Sequence, residues 1–268
     1  MAKWAEARGR VPAGLPYGLG AVFLGGVGLA VGDFALQWQP VPADVPGPAL
    51  LAYAAAAVLT AGGVGVLFRR TRAWSALGLA VVYAAWTVVL HGPRVVAAVD
   101  TLARWNAFCE IAALSAGGAI LFSAAKADAW PPLPAVARRV FGLCLLVFGS
   151  SHLVYLSFTA SMVPEWFPAR TLWAAGTGLA HIAAGLALIT GVKARLAAGL
   201  LSLMFAGFVL LLHVPRLIAH PELRLEWTMT AVAVCLTGAA VEVFRSLTAD
   251  AQRRLRQSLS EHARKRPV

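Results

Sequence analysis

The residues best suited to chemistry in this sequence are three histidines that lie within, or at the end of, long apolar segments. His152, His181 and His213 occupy three successive apolar runs in the second half of the chain. An ionisable side chain inside such a run is costly in a bilayer and usually faces the protein interior or a cavity. An imidazole can bind a metal or a haem iron, or form hydrogen bonds with a quinone headgroup. We therefore expect either one polar cavity lined by these histidines, or three separate histidines that each join two helices.

A short repeated motif contains one of these histidines. The segment His91–Arg94 (His-Gly-Pro-Arg) returns 122 residues later as His213–Arg216 (His-Val-Pro-Arg), and Trp105 returns as Trp227 at the same offset. Each copy ends an apolar run, so the proline is predicted to break the helix while His and Arg satisfy its free carbonyls. The alternative is a rim that contacts an anion or a substrate. The constant offset itself predicts an internal repeat, in which the chain contains two copies of one structural unit.

The two copies differ in the other histidines, and this difference predicts where a site would lie. The counterparts of His152 and His181 in the first copy are Ala30 and Leu59. A site is therefore expected once per chain, beside His213. No metal is assigned, although His152 and His181 are candidate ligands. The residues expected at the rim of the cavity are Arg216, Glu165 and Trp166, with Tyr155 near them.

Two acidic residues of the first copy lie in or near apolar runs. We expect Asp33 and Glu110 to pair with Arg94 or Arg104, because a charge near the membrane needs a partner. The three cysteines, Cys109, Cys144 and Cys235, fall inside apolar runs without a Cys-x-x-Cys spacing, which predicts packing residues rather than a dithiol centre.

The elements that must position these residues are apolar helices. The chain is 59% hydrophobic and 13% charged, with a mean hydropathy of +0.72, which is typical of a polytopic membrane protein. We predict an all-α fold of eight transmembrane helices in two parallel four-helix repeats. The predicted spans are 17–36, 49–68, 73–90, 105–123, 140–158, 171–190, 196–212 and 227–244.

Charge predicts the topology. The net charge of +11 comes from basic residues between apolar runs and in the C-terminal segment, which follows the positive-inside rule and does not indicate nucleic-acid binding. Both termini are predicted to be cytoplasmic. The predicted divisions are a cytoplasmic arm 1–16, a first repeat 17–123, a cytoplasmic linker 124–139, a second repeat 140–244 and a basic tail 245–268.

The second copy, about Ala137 to Val243, resembles the DoxX family of four-helix membrane proteins, and the first copy resembles it remotely. The matching segments are Gly149–His152, Met162–Pro168, Gly178–Gly185, Lys193–Ala197, His213–Arg216 and Trp227. Some relatives are linked to thiosulfate:quinone oxidoreduction or to redox-defence complexes. The resemblance implies a redox-associated subunit of the bacterial plasma membrane, with a membrane-bound or soluble redox partner. The rival hypotheses are a small-molecule carrier and a non-catalytic scaffold.

Overall fold

The computed structural model describes residues 12–126 and 129–264, and for the last two of these the backbone alone. Most of the predicted N-terminal arm, part of the linker and the last four residues of the tail lie outside the described residues. The described part of the chain is helical and contains no strand. The helices are α1 Leu15–Val31, α2 Pro48–Leu67, α3 Arg72–Trp86, α4 Gly92–Val96, α5 Leu102–Ala125, α6 Leu133–Val154, α7 Leu156–Met162, α8 Arg170–Thr190, α9 Ala194–Phe208, α10 Val214–Ala219 and α11 Arg224–Arg264.

Within the described ranges, seven helical stretches are long and apolar enough to cross a bilayer, and α1 is a shorter apolar helix of 17 residues. These helices fit the prediction of a multi-pass membrane protein and are compatible with contact with a lipid bilayer. Three of the boundaries recur at the offset found in the sequence, since α2, α3 and α5 begin at 48, 72 and 102, while α8, α9 and α11 begin at 170, 194 and 224.

The first apolar run ends earlier than predicted. Gly32 adopts the left-handed conformation (φ 70°) and its N–H donates to the carbonyl of Gly28, so α1 stops at Val31 rather than Leu36. The chain then turns back through a 3-10 turn, Leu36–Trp38, and buries Trp38 to 3% exposure. Trp38 lies between the first two predicted spans, and burial of its large apolar indole brings part of this connecting segment into the protein.

The prediction that proline breaks the helix in each His-x-Pro-Arg motif is wrong. A π-helical turn, Thr87–His91, joins α3 to α4, and a second one, Val209–His213, joins α9 to α10. The N–H groups of the residues after the histidines donate to carbonyls five positions earlier rather than four. Proline lacks an N–H and clashes with the preceding turn of an α-helix, and the wider π turn accommodates it, so each helix continues beyond its histidine.

The two halves of the chain, α1–α5 and α6–α11, pack reciprocally. Helix α5 of the first half packs on α6 of the second, α11 of the second half packs on α1 of the first, and α5 and α11 contact each other. Close approach of α1 and α11 depends on Gly238, because a Cβ there would lie 2.2 Å from the backbone nitrogen of Tyr17. The Tyr17 hydroxyl in turn donates to the Leu114 carbonyl of α5 at 2.9 Å. Residues from both halves therefore build one core.

The last helix, α11, extends well beyond one membrane thickness. Its 41 residues correspond to about 61 Å, roughly twice the hydrocarbon core of a bilayer. The segment predicted as a basic tail is thus, as far as residue 264, the continuation of the last apolar helix. An ion pair between Arg138 of α6 and Asp250 (2.6 Å) fastens this continuation to α6.

Candidate functional site

A cavity of about 790 Å³ lies between the two halves, which places it across both copies rather than in the second alone. Its walls include many aromatic and methionine side chains, and apolar and aromatic walls are usual in small-molecule sites. The main apolar lining residues are Phe148, Phe158, Phe167, Trp173, Met204, Phe205, Phe208 and Met229. The polar lining residues include His91, Arg94, Arg104, Asn106 and Glu110 from the first half, and Ser151, His152, Thr177, His181 and His213 from the second.

His152 and His181 face each other across two closely packed helices. Their ring centroids lie 5.0 Å apart. The helices that carry them, α6 and α8, approach closely at a glycine pair, because a Cβ on Gly149 would lie 2.5 Å from the carbonyl oxygen of Gly178. Small residues at a helix crossing permit this approach in membrane proteins. The glycine one turn before each histidine therefore sets the distance between the two imidazoles.

Hydrogen bonds hold the two imidazoles in defined orientations. Nδ1 of His181 lies 2.8 Å from the carbonyl of Thr177, and Nδ1 of His152 lies 3.2 Å from the Thr177 hydroxyl and 3.4 Å from the Ala174 carbonyl. The Thr177 hydroxyl itself donates to the Trp173 carbonyl at 2.9 Å, so it can accept from His152. Both neutral rings are therefore assigned as donors through Nδ1, which leaves Nε2 as an acceptor. Neither Nε2 has a hydrogen-bond partner within the described residues.

The third predicted histidine, His213, is placed at the same cavity by the π turn. Its Nδ1 is buried without a hydrogen-bond partner in the part of the chain that the structure describes. The equivalent His91 lies 3.2 Å from the Trp38 carbonyl through Nε2. The position 122 residues after Trp38 is Ala160, so the second half offers no such tryptophan. Both histidines line the cavity, and the unpartnered nitrogen belongs to His213.

The predicted rim residues do not line the cavity. Glu165 and Trp166 are exposed on the protein surface, with Trp166 at 67%. Arg216 forms a bidentate ion pair with the buried Glu226, at 3.2 and 2.7 Å. Tyr155 does line the cavity. Sequence position near a histidine-bearing helix therefore did not predict which loop residues reach the site.

The expected pairing of the first-half acids with Arg94 or Arg104 is wrong. Glu110 accepts hydrogen bonds from Trp38 Nε1 at 2.5 Å and from Asn106 at 2.9 Å. Burial of Trp38, which the sequence did not predict, brings the indole N–H to the carboxylate. Glu110 thereby becomes a polar lining residue that the first half contributes to the cavity, whereas the three predicted histidines come from the second half.

The other acid, Asp33, joins the two halves. It accepts a hydrogen bond from Arg224, the first residue of α11, at 2.8 Å. This guanidinium, together with the backbone N–H of Phe34, lowers the pKa of the Asp33 carboxyl from its ordinary value. The Arg224 guanidinium also donates to the Phe34 carbonyl. The ion pair therefore ties the loop after α1 to the start of α11.

Tertiary packing also brings together two cysteines that are far apart in sequence. Cys109 of α5 and Cys144 of α6 are buried, and the two helices that carry them pack on each other where the halves meet. Both are free thiols. In the described residues no group of three or more His, Cys, Asp or Glu side chains is arranged to hold a metal ion. The His152–His181 pair thus supplies two imidazoles without a third protein ligand of these types.

Comparison with known proteins assigns no activity. Residues 141–235 match a family model described as a domain of unknown function, DUF8561. This segment runs from α6 into α11 and includes the three histidines predicted from the sequence. No curated protein and no solved structure matches the chain.

Proposed function

We propose that the chain is an eight-span protein of the bacterial plasma membrane, built from two parallel DoxX-like repeats with both termini cytoplasmic. The shared offset of 122 residues between helix starts supports the duplication. A side-chain hydrogen bond repeats at the same offset, since Trp105 donates to the Val99 carbonyl and Trp227 to the Pro221 carbonyl, each at 2.8 Å. Helix α1, with 17 residues, is at the lower limit for a transmembrane span.

We propose further that the protein is a redox-associated membrane subunit whose cavity binds a quinone-type ring. The observation that carries this proposal is the pair of imidazoles 5.0 Å apart on the wall of a 790 Å³ cavity with aromatic lining. Phe205 and Phe208 lie 5.4 and 6.1 Å from the His181 ring, so a planar ligand would meet aromatic faces beside the imidazoles. The cavity volume is within the range of small-molecule sites.

The orientation of the histidines favours the reduced ligand. A neutral His152 or His181 offers an acceptor at Nε2, and a hydroquinone O–H can donate to it, whereas a quinone carbonyl cannot. His213 adds a third imidazole to the lining of the same cavity. We therefore expect the hydroquinone to bind more tightly than the quinone when the histidines are neutral.

The test is a binding titration on purified protein in detergent. Decylubiquinol, kept under a reducing atmosphere, and decylubiquinone are titrated separately, and organic extracts of the purified protein are assayed for bound quinone. Replacement of His181 by Phe should weaken binding of the quinol at least ten-fold. His220→Ala is the matched control, because His220 is exposed and lies outside the cavity. Failure of both ring forms to bind, together with quinone-free extracts, would refute the quinone proposal.

The position of the cavity between the halves also supports a second proposal, a small-molecule carrier. Parallel repeats that move relative to each other around a shared site are a common transporter design. A carrier should move a ligand across proteoliposomes, and His181→Phe should reduce that flux. Binding without flux in the same proteoliposomes would favour the redox subunit. Absence of both binding and flux would leave the scaffold, in which the histidines only join helices.

A further inference from the structure

The two halves differ in which residues, and which contacts, they have at one pair of equivalent positions. In the second half Arg216 is paired with Glu226, whose side chain is 1% exposed. The residues 122 positions earlier are Arg94 and Arg104. The first half therefore has a second arginine where the second half has the counter-ion. The Arg104 guanidinium instead donates to the backbone carbonyl of Arg94 at 2.7 Å, so the two arginines are neighbours in space.

Both first-half arginines line the cavity, and no protein carboxylate neutralises them within the described residues. The carboxylate oxygens of Glu110 each accept a hydrogen bond, from Trp38 and Asn106. Asp100, which lies between the two arginines in sequence, forms no ion pair with either in the same part of the chain. Two guanidinium groups on one cavity wall, neither of them ion-paired with a carboxylate in the described residues, constitute a site for an anion.

We propose that Arg94 and Arg104 bind the anionic group of an amphipathic ligand whose apolar body occupies the aromatic cavity. The ligand class is an organic carboxylate, sulfonate or phosphate. Arg94 is exposed and His181 is 2% exposed, so the anion would sit at the opening and the apolar body deeper. A lipid headgroup phosphate offers the same chemistry as a soluble anion. This proposal rests on the proposed function in that it requires the cavity to admit a ligand.

The probe is 2-naphthoate, titrated by calorimetry into the full chain in nanodiscs of zwitterionic phosphatidylcholine, with empty nanodiscs as the blank. The neutral 2-naphthamide tests the cavity without the anionic group. The decisive variant is Arg104→Glu, which places in the first half the ion pair that the second half already accommodates. It should weaken naphthoate binding at least ten-fold while naphthamide binds as in the parent protein.

The matched control is Arg70→Glu, which makes the same change of charge in the turn before α3. That turn lies at the other end of the helical stretch Arg72–Val96, roughly 35 Å from Arg94. The Arg70→Glu variant should leave naphthoate binding unchanged. Equal binding of naphthoate to Arg104→Glu and the parent, or an equal loss in Arg70→Glu, would overturn the anion site.

A second arm identifies the source of the anion. Nanodiscs that contain phosphatidylglycerol should show weaker naphthoate binding if a lipid headgroup occupies the site, and unchanged binding if the ligand is a soluble anion. Either result retains the two-arginine site and assigns its occupant. If decylubiquinol binds but naphthoate does not, the anion site fails and the ring-binding cavity stands. If naphthoate binds but neither quinone form does, the quinone proposal fails and the anion site stands.

Discussion

The ion pair between Arg216 and Glu226 has no equivalent between Arg94 and Arg104 of the first half. Its contribution to stability can therefore be measured by comparing substitutions of Arg216 and Arg94. Removal of one member of a buried pair leaves the other charge without a partner. This costs about 3–5 kcal/mol when both charges are fully buried. Glu226 is 1% exposed, but the Arg216 side chain is 36% exposed, so water reaches one side of the pair. We therefore expect Arg216→Ala to destabilise the protein by about 2–3 kcal/mol.

The assay is thermal unfolding in detergent, followed by tryptophan fluorescence. For a chain of this size, the expected destabilisation corresponds to a fall in Tm of roughly 4–12 °C. Arg94→Ala is the matched variant at the equivalent position, and it should lower Tm by much less because no buried carboxylate depends on Arg94. A double variant, Arg216→Ala with Glu226→Gln, should recover most of the lost stability, since a neutral amide is less costly to bury.

Equal falls in Tm for Arg216→Ala and Arg94→Ala would refute this reasoning, because they would mean that Arg94 has a structural counter-ion after all. Failure of the double variant to recover stability would show instead that the Arg216 side chain stabilises the protein through packing rather than charge. The pair of measurements thus also tests the premise of the anion site without any ligand.

Three further predictions follow from single contacts. Gly238→Ala should reduce the free energy of unfolding by about 1–3 kcal/mol or more and so lower Tm, because its Cβ would lie 2.2 Å from a backbone nitrogen of α1. An unchanged Tm would show that the helices can separate at no cost. Trp38→Phe removes a donor from buried Glu110 and should cost about 1.5–3 kcal/mol, measured by the same unfolding assay. The Asp33–Arg224 pair should contribute about 0.2–1 kcal/mol above the ordinary carboxyl pKa and lose it as pH falls through the lowered folded pKa; Asp33→Asn should remove this pH dependence of Tm.

The helical character of the chain could be predicted from sequence because it depends on local properties. Long apolar runs, separated by prolines and basic residues, predicted helices close to those observed. The early stop of α1 at Gly32 was missed, since a glycine inside an apolar run is compatible with both a continuous helix and a C-terminal cap. The π turns at His91 and His213 were missed for a related reason: proline usually disrupts a helix, and its accommodation depends on the detailed backbone path.

The candidate site was predicted only in part. The approach of His152 to His181 follows from glycines on the same two helices, and the sequence contains them one turn before each histidine. The contribution of the first half was not predicted. Glu110 reaches the cavity through the packing of α5 on α6, and it is held by Trp38, which lies between two predicted spans. Contacts between residues far apart in sequence have no local signature.

By itself, the sequence determined that this is a helical membrane protein, where most of its helices begin, and that its halves differ in their histidines. These follow from hydrophobicity, charge and the 122-residue offset, which are properties of the chain alone. Only the tertiary structure decided that each half packs its last helix on the first helix of the other. That exchange places the cavity between the halves and leaves Arg94 and Arg104 on its wall without an ion-paired carboxylate in the described residues. Side-chain packing between distant helices, rather than any local pattern, selects these partners.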